Sequence, residues 1–210
     1  WEYDSDPNSL VDYDAVMDCF TNTGALIGGK AISADLAMKG RDHFVAGYWE
    51  GLRVSIEIDK DKSSGREIET DLRKLMVMHG VGRSQTVADS DGLGSYLESY
   101  LNGIKEFKNG ASAFKNKYAN LKAECAYKLA EMIDKRQLQI ICRPDQAELI
   151  AEELQLLIAA NVDKDTRKKD IISKEAMKGI IKRSPDYLDM LIMGMYRLVA
   201  PRTGNSTYNW

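Results

Sequence analysis

Histidine is nearly absent from this sequence, with His43 and His79 the only two among 210 residues. Cysteine is almost as scarce: Cys19, Cys125 and Cys142 lie far apart with no CxxC pair, so the ligands for a Cys/His zinc site are missing. An odd number of thiols fits a reducing compartment better than a disulfide framework. No apolar run is long enough to span a bilayer, because the longest, from about Tyr187 to Ala200, falls short of the roughly 20 residues needed. No cleavable leader is visible at the start. These absences lead us to expect a cytoplasmic protein with no membrane partner. An excess of one charge is lacking too, since the net charge is −3, so any nucleic-acid surface has to be local.

With 44% hydrophobic and 29% charged residues, the chain has the composition of one domain with a real core. It opens on Trp1 rather than Met, so the expectation is a piece of something longer. Residues 1 to 18 carry six acids and no Lys or Arg, with Asp6-Pro7-Asn8 as a turn signal. That pattern reads as a linker and a short helix over Asp12 to Cys19, lying outside the core. The boundaries expected are a linker over 1–30, a domain over 31–200 and a tail over 201–210.

Ala31 to Ala37 is a short apolar run that reads as a buried strand. Phe44 to Trp49 and Leu52 to Ile58 follow as a hairpin turning at Glu50-Gly51. Helical spacing of Ile68, Leu72, Leu75 and Met76 marks Arg66 to Met78, stopped by Gly80-Val81-Gly82. Thr86 to Ala88 is a fourth strand, Ser95 to Leu101 a helix, and Ile104 to Phe107 a short extended piece. Tyr118, Leu121, Cys125, Leu129, Met132 and Ile133 form one helical stripe. Leu138 to Cys142 returns as a strand, Gln146 to Ala160 as a helix, and a last helix starts at Ser184-Pro185-Asp186, where Ser suits the cap and Pro the first turn. Three consecutive strands followed by alternating β and α segments describe an α/β mixed sheet with helices on its faces.

One motif is a decoy. Gly24-Ala25-Leu26-Ile27-Gly28-Gly29-Lys30 has GxxxxGK spacing, but Ala31 stands where a phosphate loop needs Ser or Thr, and the strand follows the loop instead of preceding it. No ATP site is expected here.

The acids are more informative. Asp35 falls among Ile32, Ala34 and Leu36, where a charge costs several kcal/mol unless compensated. Asp89 follows the fourth strand, at the kind of sheet edge that presents ligands. Asp186 opens the last helix, and Asp189 lies at i+3 in an otherwise apolar segment. Taken singly, these acids have plainer roles as a strand-end group, a turn former and a helix-dipole group. Together, on elements that can converge at one sheet edge, they point to a hard-metal site for Mg²⁺ or Mn²⁺, since the donors are all oxygen. Two such ions can activate water and stabilise the leaving oxygen of a phosphodiester. Between Asn161 and Arg183 lies the one strongly basic region, with Lys164, Arg167, Lys168, Lys169, Lys174, Lys178, Lys182 and Arg183. It reads as a DNA-backbone strip, a solvated hairpin or a partner-docking face.

These segments also carry a resemblance. Ala31 to Ala37, continuing to Gly40-Arg41-Asp42, resembles the opening strand and GxD loop of the nuclease domain in large terminase subunits of tailed phages. Ala88-Asp89-Ser90-Asp91-Gly92-Leu93-Gly94 is similar to that family's second acidic motif. Tyr118 to Glu124 resembles its N-L-x-x-E helix start, and Arg183-Ser184-Pro185-Asp186-Tyr187-Leu188-Asp189 its closing R-S-P-D-x-x-D motif. The resemblance implies a ribonuclease H-like fold with five to seven strands, two Mg²⁺ or Mn²⁺ ions, and cutting of concatemeric double-stranded DNA during packaging in a bacterial host. It implies that Asp35 bridges the metals while Asp89 and Asp186 each hold one, with Asp42, Asp91 and Asp189 as supporting acids. Asp91 competes with Asp89 as the ligand. Implied partners are the terminase ATPase domain, the portal protein and the small terminase subunit. Met190 departs from the pattern, because family members often carry Ala after the last Asp, so its packing is expected to differ. A resolvase or transposase-like nuclease of the same fold, or a non-catalytic DNA- or portal-docking module, are the other readings.

Overall fold

The computed structural model describes residues 6–36, 43–61, 63–89, 101–160 and 168–201. Its centre is a sheet of six strands: β1 (Lys30–Asp35), β2 (His43–Glu50), β3 (Arg53–Asp61), β4 (Thr86–Asp89), β5 (Lys105–Phe107) and β6 (Gln139–Ile141). Their spatial order is β5-β4-β1-β2-β3-β6. β2 lies between β1 and β3 and is antiparallel to both, and β4 and β5 run parallel to β1 on its other side. β6 adds a parallel edge to β3. The β2–β3 turn works because Gly51 adopts φ 63°, a left-handed conformation that suits glycine.

Period-2 alternation divides the sheet into two faces. Ile32, Ala34, Phe44, Ala46 and Ile58 meet Ile68, Leu72 and Leu75 of helix α2 (Gly65–His79) on one side. α2 is closed at its start by a Ser64/Glu67 capping box and at its end by left-handed Gly80. On the other side, Ala31, Val45, Trp49, Val54 and Val87 belong to a larger core. That core includes α1 (Tyr13–Asp18), α3 (Leu121–Asp134), α4 (Pro144–Leu154) and α6 (Asp186–Gly194). A small hairpin of β7 (Ala159–Ala160) and β8 (Asp170–Ile171), helix α5 (Lys174–Ile181) and a final turn α7 (Tyr196–Val199) complete the described elements. The fold is α/β and ribonuclease H-like, as the sequence leads one to expect.

All nine residues of α6 are buried, so it is a core helix without a solvent stripe, lying against β1, β2 and β4 beneath α3 and α4. Two glycines allow its close approach to the sheet. A Cβ on Gly47 would stand 2.7 Å from Met190 Sδ, and one on Gly194 would stand 2.1 Å from the Trp49 ring. The departure at Met190 is therefore absorbed locally, with its sulfur filling the space above Gly47.

Three expectations are corrected. The acidic opening is not outside the core: Val11, Ala15, Val16 and Cys19 lie on one stripe and are buried, while Asp6, Asp12 and Asp14 are exposed and Asp18 is half-buried. The helix expected over Gln146 to Ala160 stops at Leu154. There the 8–10 segment takes up the backbone through Leu10 N–H to Leu157 O and Ala159 N–H to Asn8 O, an extended pairing that competes with continued helix. The last helix is capped at Pro185 without a side-chain bond, one residue later than Ser184 would place it, and it breaks at Met195. The helix expected over Ser95 to Leu101 falls almost wholly outside the described residues.

Candidate active site

Asp35 is the last residue of the central strand, on the face that carries Ala31 and Ser33 and is covered by α6. β4 runs alongside in register, with Ala34 opposite Ala88, so Asp35 and Asp89 are the next residues at the ends of adjacent parallel strands. Asp186 is the first residue of α6 and Asp189 lies one turn on, which lets the helix dipole favour both charges. Asp35, Asp186 and Asp189 are buried, and Asp89 is half-buried. Acids far apart in the chain thus meet at one sheet edge.

Lys174, the first residue of α5, reaches into the middle of them. Its Nζ is 2.7 Å from Asp189 Oδ2, 3.9 Å from Asp186 Oδ1 and 4.0 Å from Asp35 Oδ2. Lys122, in the first turn of α3, donates to the other Asp189 oxygen at 2.5 Å. Burial by itself would raise the Asp189 carboxyl, but these two ammoniums hold it below the usual carboxylate range. Asp35 goes the other way: burial first, then repulsion from Asp189, pushes it well above that range, with Asp186 and Asp89 adding to the rise and Lys174 only partly opposing it. Burial would lower Lys174, yet Asp189, Asp35 and Asp186 keep its ammonium above the ordinary value.

Asp186 is incompletely satisfied. Its Oδ2 accepts the His43 backbone N–H at 2.9 Å, while its buried Oδ1 has no hydrogen-bond partner. Asp35 accepts no side-chain hydrogen bond among the described residues. All-oxygen donors, an orphaned carboxylate oxygen and surplus negative charge fit a hard divalent cation. The carboxylates nonetheless gather around the Lys174 ammonium, and among the described residues no three His, Cys, Asp or Glu side chains form a group that would hold an ion.

Asp59, near the end of β3, braces this edge from the side. Its Oδ2 accepts from Tyr187 Oη at 2.7 Å, Gln146 Nε2 at 2.9 Å and Arg143 at 3.2 Å, and its Oδ1 lies 3.5 Å from His43 Nδ1. Asp59 thereby ties together the neighbours on either side of the Asp186 contact, Tyr187 in sequence and His43 in space.

The basic residues singled out in the sequence do not share one surface. Lys174 points at the acids, and Arg183 spends its guanidinium on Glu152, Glu153 and the Leu149 carbonyl. Lys168 and Lys169 are exposed, Lys178 is half-buried, and the Lys182 Nζ donates to the Gly179 carbonyl. Asp42, Asp91, Lys164 and Arg167 lie outside the described residues. Sequence reasoning missed Lys122, His43 and Asp59, and it placed Lys174 in the DNA-backbone strip, whereas its ammonium sits among the acids. A lysine after a helix cap looks solvated, and the His43 contribution is a backbone group that leaves no trace in side-chain type.

No family model matches the sequence, and no curated protein matches it. Among solved structures, it is similar to the nuclease domain of the large terminase subunit gp2 of bacterial virus Sf6, at 17% identity and a TM-score of 0.74, covering 92% of this chain and 100% of that one. The large terminase nuclease of thermophilic phage G20c with bound magnesium is similar at 13% identity and a TM-score of 0.61, covering 91% and 98%. The large terminase of thermophilic bacteriophage D6E matches at 12% and 0.54, covering 92% of this chain and 45% of that one. At these identities the likeness establishes the fold.

Proposed function

We propose that this chain is the metal-dependent endonuclease domain of a phage packaging terminase, cutting double-stranded DNA as concatemers are packaged. The observation that carries this reading is the meeting of Asp35, Asp89 and Asp186 at the ends of β1 and β4 and the start of α6, with one buried Asp186 oxygen unsatisfied. The likeness to terminase nuclease domains, one of them with bound magnesium, supports it. Asp35, Asp89 and Asp186 would hold Mg²⁺ or Mn²⁺, and the pair of ions, when bound, supplies activated water and stabilises the leaving oxygen.

The chain's own residues prepare that chemistry. The His43 N–H fixes one Asp186 oxygen and leaves the other directed into the site. Asp189 has both oxygens committed to lysines, so its part is to anchor Lys174 rather than to act as a ligand. Lys174 neutralises the cluster and draws on the same Asp35 and Asp186 oxygens that an ion needs. Further domains and the portal and small-subunit partners belong to this reading through the terminase likeness alone.

Asp35→Asn is expected to abolish Mg²⁺- or Mn²⁺-dependent nicking of plasmid, a loss of at least about 100-fold, with the fold intact by circular dichroism. A pure, folded variant that still cuts would overturn the assignment. The Lys174-centred arrangement also favours a second reading, a DNA-docking module whose acids serve only to pair lysines. Mn²⁺ titration calorimetry separates the two, because that module takes up no metal at millimolar concentrations.

A further inference from the structure

The obvious basic run, 164–183, sends two of its cations inward. A less obvious basic segment takes their place. Between residues 105 and 120 the chain carries Lys105, Lys108, Lys115 and Lys117 against the single acid Glu106. Residues 108–120 form no helix or strand, and loops beyond roughly 12 residues without regular structure are usually functional.

Both ends of this loop are rooted at the acidic edge. It leaves β5 at Phe107, which is paired with Asp89 on β4. It enters α3, whose first turn supplies the Lys122 that holds Asp189. The loop is also stiff. Buried Glu124 accepts the Phe114 N–H at 2.7 Å and the Lys115 N–H at 3.2 Å, while Leu121 N–H and Lys122 N–H close onto the Ala111 and Asn109 carbonyls. This gives Glu124, the acid of the N-L-x-x-E segment, a role as a strut under the loop. Lys169 N–H then donates to Lys117 O at 2.7 Å and Ala119 N–H to Lys169 O at 2.9 Å, which joins Lys168 and Lys169 to the same ridge.

We infer that the loop 108–120, strutted by Glu124 and joined to Lys168 and Lys169, is the surface that grips the phosphodiester backbone of duplex DNA beside the acids. This rests on the nuclease reading and assigns its DNA track. Lys108, Lys115, Lys117, Lys168 and Lys169 are all exposed, and the Glu124 bond to the Lys115 N–H with the Lys169-to-Lys117 backbone bond holds part of this ridge in place before DNA arrives, so less ordering is left to oppose binding.

The test is fluorescence anisotropy of a labelled duplex of about 30 base pairs, in EDTA so that nothing is cut, across a salt series. Lys115→Glu with Lys117→Glu is expected to weaken binding at least tenfold near 50 mM salt and to lower the slope of log affinity against log salt by about 2. Lys74→Glu with Lys135→Glu, on exposed positions of α2 and the far end of α3, is the charge-matched control and should change affinity less than twofold. Lys115→Ala with Lys117→Ala should show the same drop in slope with a smaller loss, and its unchanged melting temperature separates contact loss from unfolding. If the wild-type domain nicks plasmid while the loop variants bind as it does, or the control loses as much as they do, the surface is misassigned and the nuclease reading stands. If the wild type neither binds nor nicks duplex in any metal, the nuclease reading fails and this inference falls with it. Loop-dependent binding of single strands in preference to duplex would overturn the duplex assignment alone.

Discussion

Glu153 and Asp186 are both buried beside α6, and the fold treats them differently. Glu153 has one oxygen on the Arg183 guanidinium and the other on the Leu188 N–H at 2.8 Å. Asp186 has one oxygen on a backbone N–H, while the other has no hydrogen-bond donor and lies 3.9 Å from the Lys174 ammonium, which Asp35 meets at 4.0 Å. Glu153, which ties α4 to α6, has a donor on each oxygen, while Asp186, at the acidic sheet edge, is left one donor short. The difference separates a charge that serves the fold from one that awaits something else.

The sharpest way to break this contrast is to remove one carboxylate of each kind. Glu153→Ala leaves Arg183 and the Leu188 N–H without their partner and is expected to cost about 3 kcal/mol in urea denaturation. Asp35→Asn removes a like charge from a crowded site and should leave stability unchanged or raise it by about 1 kcal/mol. Equal losses would erase the distinction. A smaller effect sharpens the packing side. Gly47→Ala pushes a methyl group against Met190 Sδ and Val54 Cγ2, at about 2 kcal/mol, and Met190→Ala in the same chain should recover part of it. Independent, additive losses in that double-mutant cycle would mean that this contact does not set the height of α6 above the sheet.

The smallest effect concerns Asp59. Burial would raise its carboxyl, but hydrogen bonds from Gln146, Tyr187, His43 and Arg143 hold it below the ordinary value. A depressed carboxyl stabilises the folded state fully above its unfolded pKa, near 4, and that contribution disappears as pH falls through the folded value. Asp59→Asn should therefore cost about 1 kcal/mol at pH 7 and progressively less below about pH 4, read from urea midpoints at several pH values. A cost independent of pH would mean that shape, not charge, is what Asp59 contributes.

The sheet was legible because its signals are local. Alternation in Leu52 to Ile58, the Glu50-Gly51 turn and the helical stripe from Ile68 to Met76 each fix an element within a few residues. The acids were legible as misfits, charges in apolar company at Asp35 and Asp189. What escaped depends on contacts across the chain. Residues 8–10 end α4 by pairing with 157–159, which no window around Leu154 contains. Lys174 and Arg183 read as surface charge because nothing in their neighbourhood announces Asp189 or Glu153 as their destination. The burial of α1 was hidden by the six acids of the first 18 residues, two of them in α1 itself, which dominate composition while one narrow stripe does the packing.

Lys174 has one more consequence. An ammonium carried on a covalent arm is never diluted, so the acids meet a counter-charge at a concentration fixed by the backbone rather than by the surrounding solution. Assembly of this sheet edge during folding is thereby decoupled from the supply of dissolved cations, unlike small domains that collapse only around their ion.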